Sequence, residues 1–162
     1  MRNKFYKVKI MIIRDMKLDD YDAADKLMQH LHKLHFEARP DLYVEKEHPY
    51  SVEEFEEKVT SDKCICLAAE EEGEVVGICF VKLADKSLMV DLPIAQMNAL
   101  CVSEAHQRKG IATQLFEEAT RRAKEAGAKR LDLMLWGFNG AARAFYEKLG
   151  MKEQRRILEK TL

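Results

Sequence analysis

The chain has 162 residues, 34% of them charged and 47% hydrophobic, and its 27 Lys and Arg nearly balance 28 Asp and Glu. That length suits one domain, expected over 1–162, with a core large enough to fold without disulfide or metal staples. Balanced charge excludes a whole-molecule field that would draw the protein to nucleic acid or to an anionic membrane, so any preference for anions must be local.

The opening stretch MRNKFYKVKIMIIRD carries Lys7 and Lys9 inside its short apolar part and lacks a small-residue cleavage site, so it does not read as a signal peptide. No apolar run approaches the ~20 residues that cross a bilayer. IMIIR, residues 10–14, is β-prone, and Asp19 or Asp20 is placed to cap the helix that follows. Ala24, Leu27, Met28, Leu31 and Leu34 recur at helical spacing until Pro40 ends the pattern. SVEE is a capping box in which Ser51 caps and Glu54 reciprocates, with Val52, Phe55 and Val59 as the apolar stripe.

From Lys63 the pattern turns to strands. CICLAAEE, a turn at Glu72 and Gly73, and EVVGICFVKLAD predict an antiparallel hairpin. In residues 92–103, alternation places Ile94, Gln96, Asn98, Leu100 and Val102 on one face and Ala95, Met97, Ala99 and Cys101 on the other. A helical stripe of Ile111, Leu115, Ala119, Ala123 and Ala126 follows and stops at Gly127. KRLDLMLW is a strand, NGAARAFYEKLG a helix capped by Asn139 with Ala142, Phe145 and Leu149 inward, and residues 151–162 predict a last strand. Cys64, Cys66, Cys79 and Cys101 sit in apolar runs without C-x-x-C or neighbouring His, which fits buried thiols in a reducing cytosol and no metal site. The fold class is therefore α/β, one mixed sheet in the order β-α-α-β-β-β-α-β-α-β.

HQRKGIAT, residues 106–113, lies where the fourth strand gives way to the third helix. The first turn of a helix favours carboxylates, because its unpaired N–H groups carry partial positive charge. Arg108 and Lys109 reverse that rule, which makes sense where an external anion, above all a phosphate, docks on those N–H groups. The spacing matches neither G-x-x-x-x-G-K-[ST] nor G-x-G-x-x-G. Gln107-Arg108-Lys109-Gly110-Ile111-Ala112 instead fits Q/R-x-x-G-x-G/A, and with LCV before it and NGAARAFYEKLGM about thirty residues on, the chain resembles the Gcn5-related N-acetyltransferases from Ile10 to its end.

That resemblance implies a fourth and a fifth strand that splay apart, with the pantetheine arm of acetyl-coenzyme A pairing like an added strand with main-chain groups of Leu100, Cys101 and Val102. It implies a diphosphate on the turn of Gln107, Arg108, Lys109, Gly110, Ile111, Ala112 and Thr113, contact from Asn139, and Tyr146 at the coenzyme sulfur as donor to the departing thiolate. It also implies a homodimer. One departure stands out: Asn98-Ala99-Leu100-Cys101-Val102 has an asparagine where many members carry an acid as general base, and an amide cannot accept a proton at neutral pH. The base is then Asp91, one of His30, His32 and His35, or ordered water.

The expectation is a cytoplasmic enzyme acetylating a primary amine by direct attack in a ternary complex. A relay through Cys101 is the weaker route, because no His stands beside it in sequence. HFEARPDLYVEKEHPY, with Glu37, Asp41, Glu45 and Glu47, is the expected acceptor region, and its acids favour a small-molecule amine. The alternatives are a protein or peptide N-acetyltransferase and a non-catalytic acyl-coenzyme A binding module.

Overall fold

The computed structural model describes residues 10–85 and 91–162; most of the basic opening stretch lies outside them. β1 (Met11–Asp15) leads through a short 3₁₀ turn into α1 (Tyr21–Ala38), and α2 (Val52–Thr60) precedes the hairpin of β2 (Cys64–Glu71) and β3 (Glu74–Ala84). β4 (Ile94–Val102), α3 (Ile111–Glu125), β5 (Arg130–Leu133) and α4 (Gly140–Lys148) complete the order. The five strands form one sheet in the order β1-β2-β3-β4-β5, antiparallel except for the parallel pair β4–β5.

Local signals explain most of these boundaries. Ser51 Oγ accepts from the Glu54 N–H at 3.2 Å while Glu54 accepts from the Ser51 N–H at 2.9 Å, which completes the expected box at the start of α2. Glu72 and Gly73, both with positive φ, make the tight turn that fits the twist of the hairpin. Asp20 precedes α1 but does not cap it with its side chain. Its carboxylate instead takes both terminal nitrogens of Arg14, at 2.7 and 2.9 Å, and the Lys17 N–H at 2.7 Å, so a charged fork outcompetes the cap.

Two apolar layers sandwich the sheet. Leu67, Cys79, Val81, Ala95, Met97 and Val102 pack beneath Leu115, Phe116 and Ala119 of α3, and Tyr146 of α4 and Leu149 at its C-cap join them. On the opposite face Cys66, Ala68, Ile78, Phe80, Ala99 and Cys101 meet Ala24, Leu27 and Met28 of α1 and Phe55 of α2. Gly77 lets α3 lie close, since a Cβ there would stand 3.1 Å from Leu115 Cδ1 and 3.2 Å from Val102 Cγ2.

Three expectations need correction. The simple alternation along β4 fails because the register with β3 jumps from Phe80↔Ala99 to Val81↔Met97, leaving Asn98 as an extra residue. Ala95 and Met97 therefore share the α3 face with Leu100 and Val102, while Ala99 and Cys101 turn to α1. β5 ends at Leu133, short of Trp136, and residues 151–162 form no strand; their side chains are almost all exposed.

Candidate active site

The bulge at Asn98 coincides with a parting of strands. β5 pairs with β4 only from Ile94↔Arg130 to Met97↔Leu133, whereas β4 runs on to Val102, so, among the described residues, 98–102 have no partner strand on that side. In an antiparallel ladder, successive residues aim their N–H and C=O to opposite sides. The Ser103 N–H bonds Val76 on β3 at 2.9 Å, which assigns Cys101 to β3 as well and turns Leu100 and Val102 into the gap. Gln107 Nε2 donates to the Val102 carbonyl at 3.2 Å, tying the turn to the lip of the gap.

Cys101 is thus turned away twice. Its thiol donates to the Leu27 carbonyl of α1 at 3.4 Å, and burial pushes it up to about 11, which disfavours the thiolate a relay would need.

The gap opens directly onto the turn before α3. Gly110, with φ +80°, is the N-cap of α3, and Arg108 also takes a positive φ of +62°. A non-glycine residue in that region is strained by roughly 1–2 kcal/mol, and such positions gather at ligand sites. The turn is braced from behind: His106 Nδ1 lies 2.7 Å from Ser103 Oγ, and its Nε2 3.2 Å from a carboxylate oxygen of Glu71 at the end of β2. The first turn of α3 carries no acidic residue, and neither Arg108 nor Lys109 has a carboxylate partner among the described residues. Gln107, Arg108 and Lys109 are exposed, Ile111 is buried in the core, and Ala112 and Thr113 are half-buried beside it. A helix N-terminus and two cations without a carboxylate partner among the described residues thus meet in one exposed turn, an arrangement able to cradle a multiply charged anion.

Tyr146 approaches from α4, half-buried against Phe116 (ring centroids 6.0 Å apart) and Phe145 (5.1 Å). Its hydroxyl has no hydrogen-bond partner among the described residues, and burial, with Cys79 nearby, pushes it up to about 12. It is a phenol that stays protonated and offers a donor. Asn139 Oδ1 accepts the Ala142 N–H at 3.1 Å and so caps α4, leaving its amide nitrogen for other partners.

The candidate bases separate clearly. Asp91 is exposed, and His30 Nε2 lies 3.6 Å from Glu104 at the surface. His32 Nε2 is 2.9 Å from the Val44 carbonyl. His35 is half-buried, stacked on Tyr43 (5.4 Å, 18°) and edge-on to Phe138 (6.2 Å); burial, and then His32, hold it below the usual imidazole range, so it is neutral at pH 7. Around it stands an aromatic wall absent from the sequence-based expectations. Trp136 Nε1–H donates to the Tyr43 hydroxyl at 2.7 Å, Trp136 stacks on Phe138 at 6.1 Å, and the Arg39 guanidinium lies 5.4 Å over Trp136. The residues sit on α1, the segment after it and the segment after β5, and only the W-x-F spacing hinted at them. Among the acids of this region, Asp41 is bound by Arg39 at 2.8 Å and Glu37 lies 3.7 Å from Lys33, while Glu45 and Glu47 are exposed.

Residues 25–151 match the family model described as Acetyltransferase (GNAT) family. The chain belongs to the GNAT acetyltransferases. Its structure resembles that of a mutant BH1408 protein from Bacillus halodurans, with TM-score 0.88 and 26% identity over 93% of this chain and 99% of that one. It shares the fold of the aminoglycoside N-acetyltransferase AAC(6')-Iy in complex with CoA (TM-score 0.69, 16% identity, 95% of each chain). The same holds for the aminoglycoside acetyltransferase meta-AAC0020 from an uncultured soil metagenomic sample (TM-score 0.68, 20% identity, 94% of this chain and 96% of that one). No helix among its described residues is long and apolar enough to cross a membrane.

Proposed function

We propose that the protein transfers the acetyl group of acetyl-coenzyme A to a primary amine of a small molecule, by direct attack in a ternary complex. The observation that carries this reading is the continuity of two features: a stretch of β4 left without a neighbour on the β5 side, ending in a helix N-terminus with no acid in its first turn and two cations without a carboxylate partner among the described residues. The first suits an extended amide-bearing arm and the second a diphosphate, and they meet at Val102, where Gln107 links them.

The residues then divide the work. Main-chain groups of Leu100 and Val102 pair with the arm, and one of their N–H groups donates to the oxygen that gains charge as the thioester carbonyl is attacked. Gln107, Arg108, Lys109, Gly110, Ile111, Ala112 and Thr113 hold the diphosphate, with Asn139 contributing from α4. Tyr146 donates a hydrogen bond to the sulfur as its bond to carbon breaks. Because the amine must be neutral to attack, His35 serves as its base, directly or through water. The cytoplasm and a homodimer complete the proposal.

A panel of primary amines, with release of coenzyme A thiol as the signal, tests it. Turnover of a small amine is the expected result; tight coenzyme binding with no turnover across small amines and peptides leaves the non-catalytic binding module instead.

A further inference from the structure

On the face opposite α3, a hollow between α1, α2 and β3 is walled by Tyr21, Met28, Tyr50, Phe55 and Phe80 around one acid, Asp25. As it stands, it has no room for a water molecule. The Asp25 side chain is only 7% exposed. Its Oδ2 accepts from Gln29 Nε2 and His48 Nδ1, both at 2.7 Å, while its Oδ1 is buried with no partner. A buried oxygen in that state costs on the order of 1–3 kcal/mol, more for a charged group, and here water cannot relieve it.

The surroundings define what could. A carboxylate lined by ring faces suits an ammonium, which brings several donors and a charge that the rings also attract. The structure already seats one cation-forming group there. His48 belongs to the segment 39–51, which has no helix or strand, and its ring is half-exposed; the bond to Asp25 raises its affinity for a proton. If it swings outward, the same carboxylate is left to a ligand and the hollow opens. Phe80 in its wall is paired with Ala99, one residue from the bulge at Asn98, so the hollow sits on the strand segment that leads into the gap.

We propose that Asp25, with the rings of Tyr21 and Tyr50, recognises a protonated amine of an acceptor that carries two or more amino groups, and that His48 occupies the site when no such amine is bound. The proposal rests on the acetyl-transfer reading for the fate of the second, neutral nitrogen. The binding itself does not depend on turnover.

The probes are 1,4-diaminobutane, n-butylamine and 1,4-butanediol, used with the full chain in the presence of coenzyme A. Saturating 1,4-diaminobutane is expected to move the His48 ring resonances towards those of Asp25→Asn, whereas the uncharged diol leaves them in place. His48→Ala, lacking the internal competitor, is expected to bind the diamine several-fold more tightly. In turnover, the ratio of kcat/KM for the diamine over n-butylamine is expected to fall about tenfold in Asp25→Asn. His48 resonances unmoved by the diamine, or moved equally by the diol, overturn the pocket, as does an unchanged ratio. Resonances that move while no amine is acetylated keep the pocket and sink the acetyl-transfer reading. Should Asp25→Asn not fold, the wild-type resonances and the His48→Ala affinity decide alone.

Discussion

The two faces of the sheet meet the gap beside β4 in different ways. On the α3 face the functional groups are backbone: N–H groups of a turn and a strand, fixed by hydrogen bonds from Gln107 and by the His106 brace between Ser103 and Glu71. On the α1 face they are side chains gathered from distant segments, with His35, Tyr43, Trp136 and Phe138 joined through ring contacts and one hydrogen bond. A backbone site can hold a ligand part that never varies, because main-chain groups recognise amide and phosphate without reading anything else. A side-chain wall on a connecting segment can change with its substrate. Under the proposed function, the coenzyme falls to one face and the choice of acceptor to the other.

The sharpest way to break that assignment is to put charge on the backbone site. Gly110→Asp is expected to weaken acetyl-coenzyme A binding about 100-fold or more, measured by calorimetry. A Cβ at Gly110 meets nothing within 4 Å, so bulk against the protein is not the cause. Asp is also among the residues that best tolerate a positive φ, which leaves repulsion of the phosphates and loss of the dipole's advantage as the main effect. Gly110→Asn has a similar shape without the charge and is expected to lose far less. Equal losses in the two folded variants would move the diphosphate away from this turn.

Tyr146→Phe comes next, and the position of its proton decides what it can do. A phenol near 12 facing a thiol of about 8.5 makes complete proton transfer uphill by roughly 5 kcal/mol. In the proposed reaction Tyr146 therefore acts as a hydrogen-bond donor to the growing sulfur charge, the proton following late or from water. The variant is expected to lower single-turnover rate by about 10² while coenzyme affinity stays within a few-fold, because the ring still packs on Phe116 and Phe145. An unchanged rate would leave Tyr146 a packing residue.

On the other face, His35→Gln is expected to reduce kcat/KM at pH 7 by about tenfold and to remove the limb on which activity rises with pH below about 6.5. The sign follows from burial, which holds the His35 imidazole below its usual range; the base is available at lower pH than an exposed histidine would allow. Coenzyme affinity should not change, since α1 takes no part in the cradle. A profile whose limb survives the substitution transfers the role of base to water or to another group.

What the sequence disclosed divides along the same line. The turn of residues 107–113, the box at Ser51, the hairpin turn and the stripe of α3 are local, and each was legible from spacing and residue type. The wall was not, because Tyr43 and Trp136 are 93 residues apart and meet only once β5 stops at Leu133. Asp25 had a signal that went unread: it sits beside Ala24 and three residues before Met28, a carboxylate on the inward face of α1. Asp20 looked like a cap because caps are local, and was diverted by Arg14 from the neighbouring strand. The tail was expected to be a strand from its own residues, but a strand needs a partner, and none of the described strands pairs with it.

The smallest effect tests where the two faces join. Asn98 is the extra residue of the β4 bulge and is exposed, and bulges of this kind are set by backbone count, since two residues on one strand oppose one on the other. Its amide cannot serve as a base. If the bulge serves to start the splay, then the side chain at 98 is dispensable while the residue itself is not. Asn98→Ala is therefore expected to keep turnover within about threefold, a change worth no more than ~0.7 kcal/mol, with coenzyme affinity unaltered. Deleting residue 98 is expected to do the opposite: Met97 still opposes Val81 and Ala99 still opposes Phe80, so Leu100 and Val102 keep their face, but the local kink and extra twist with which β4 parts from β5 are lost. Measured together, an active Asn98→Ala and an inactive but folded deletion place the function in the backbone geometry. An Asn98→Ala variant that binds coenzyme normally and loses activity by a factor near 10² would instead give the amide a role in the transfer step, and the clean division between a backbone face and a side-chain face would fail at the residue where they touch.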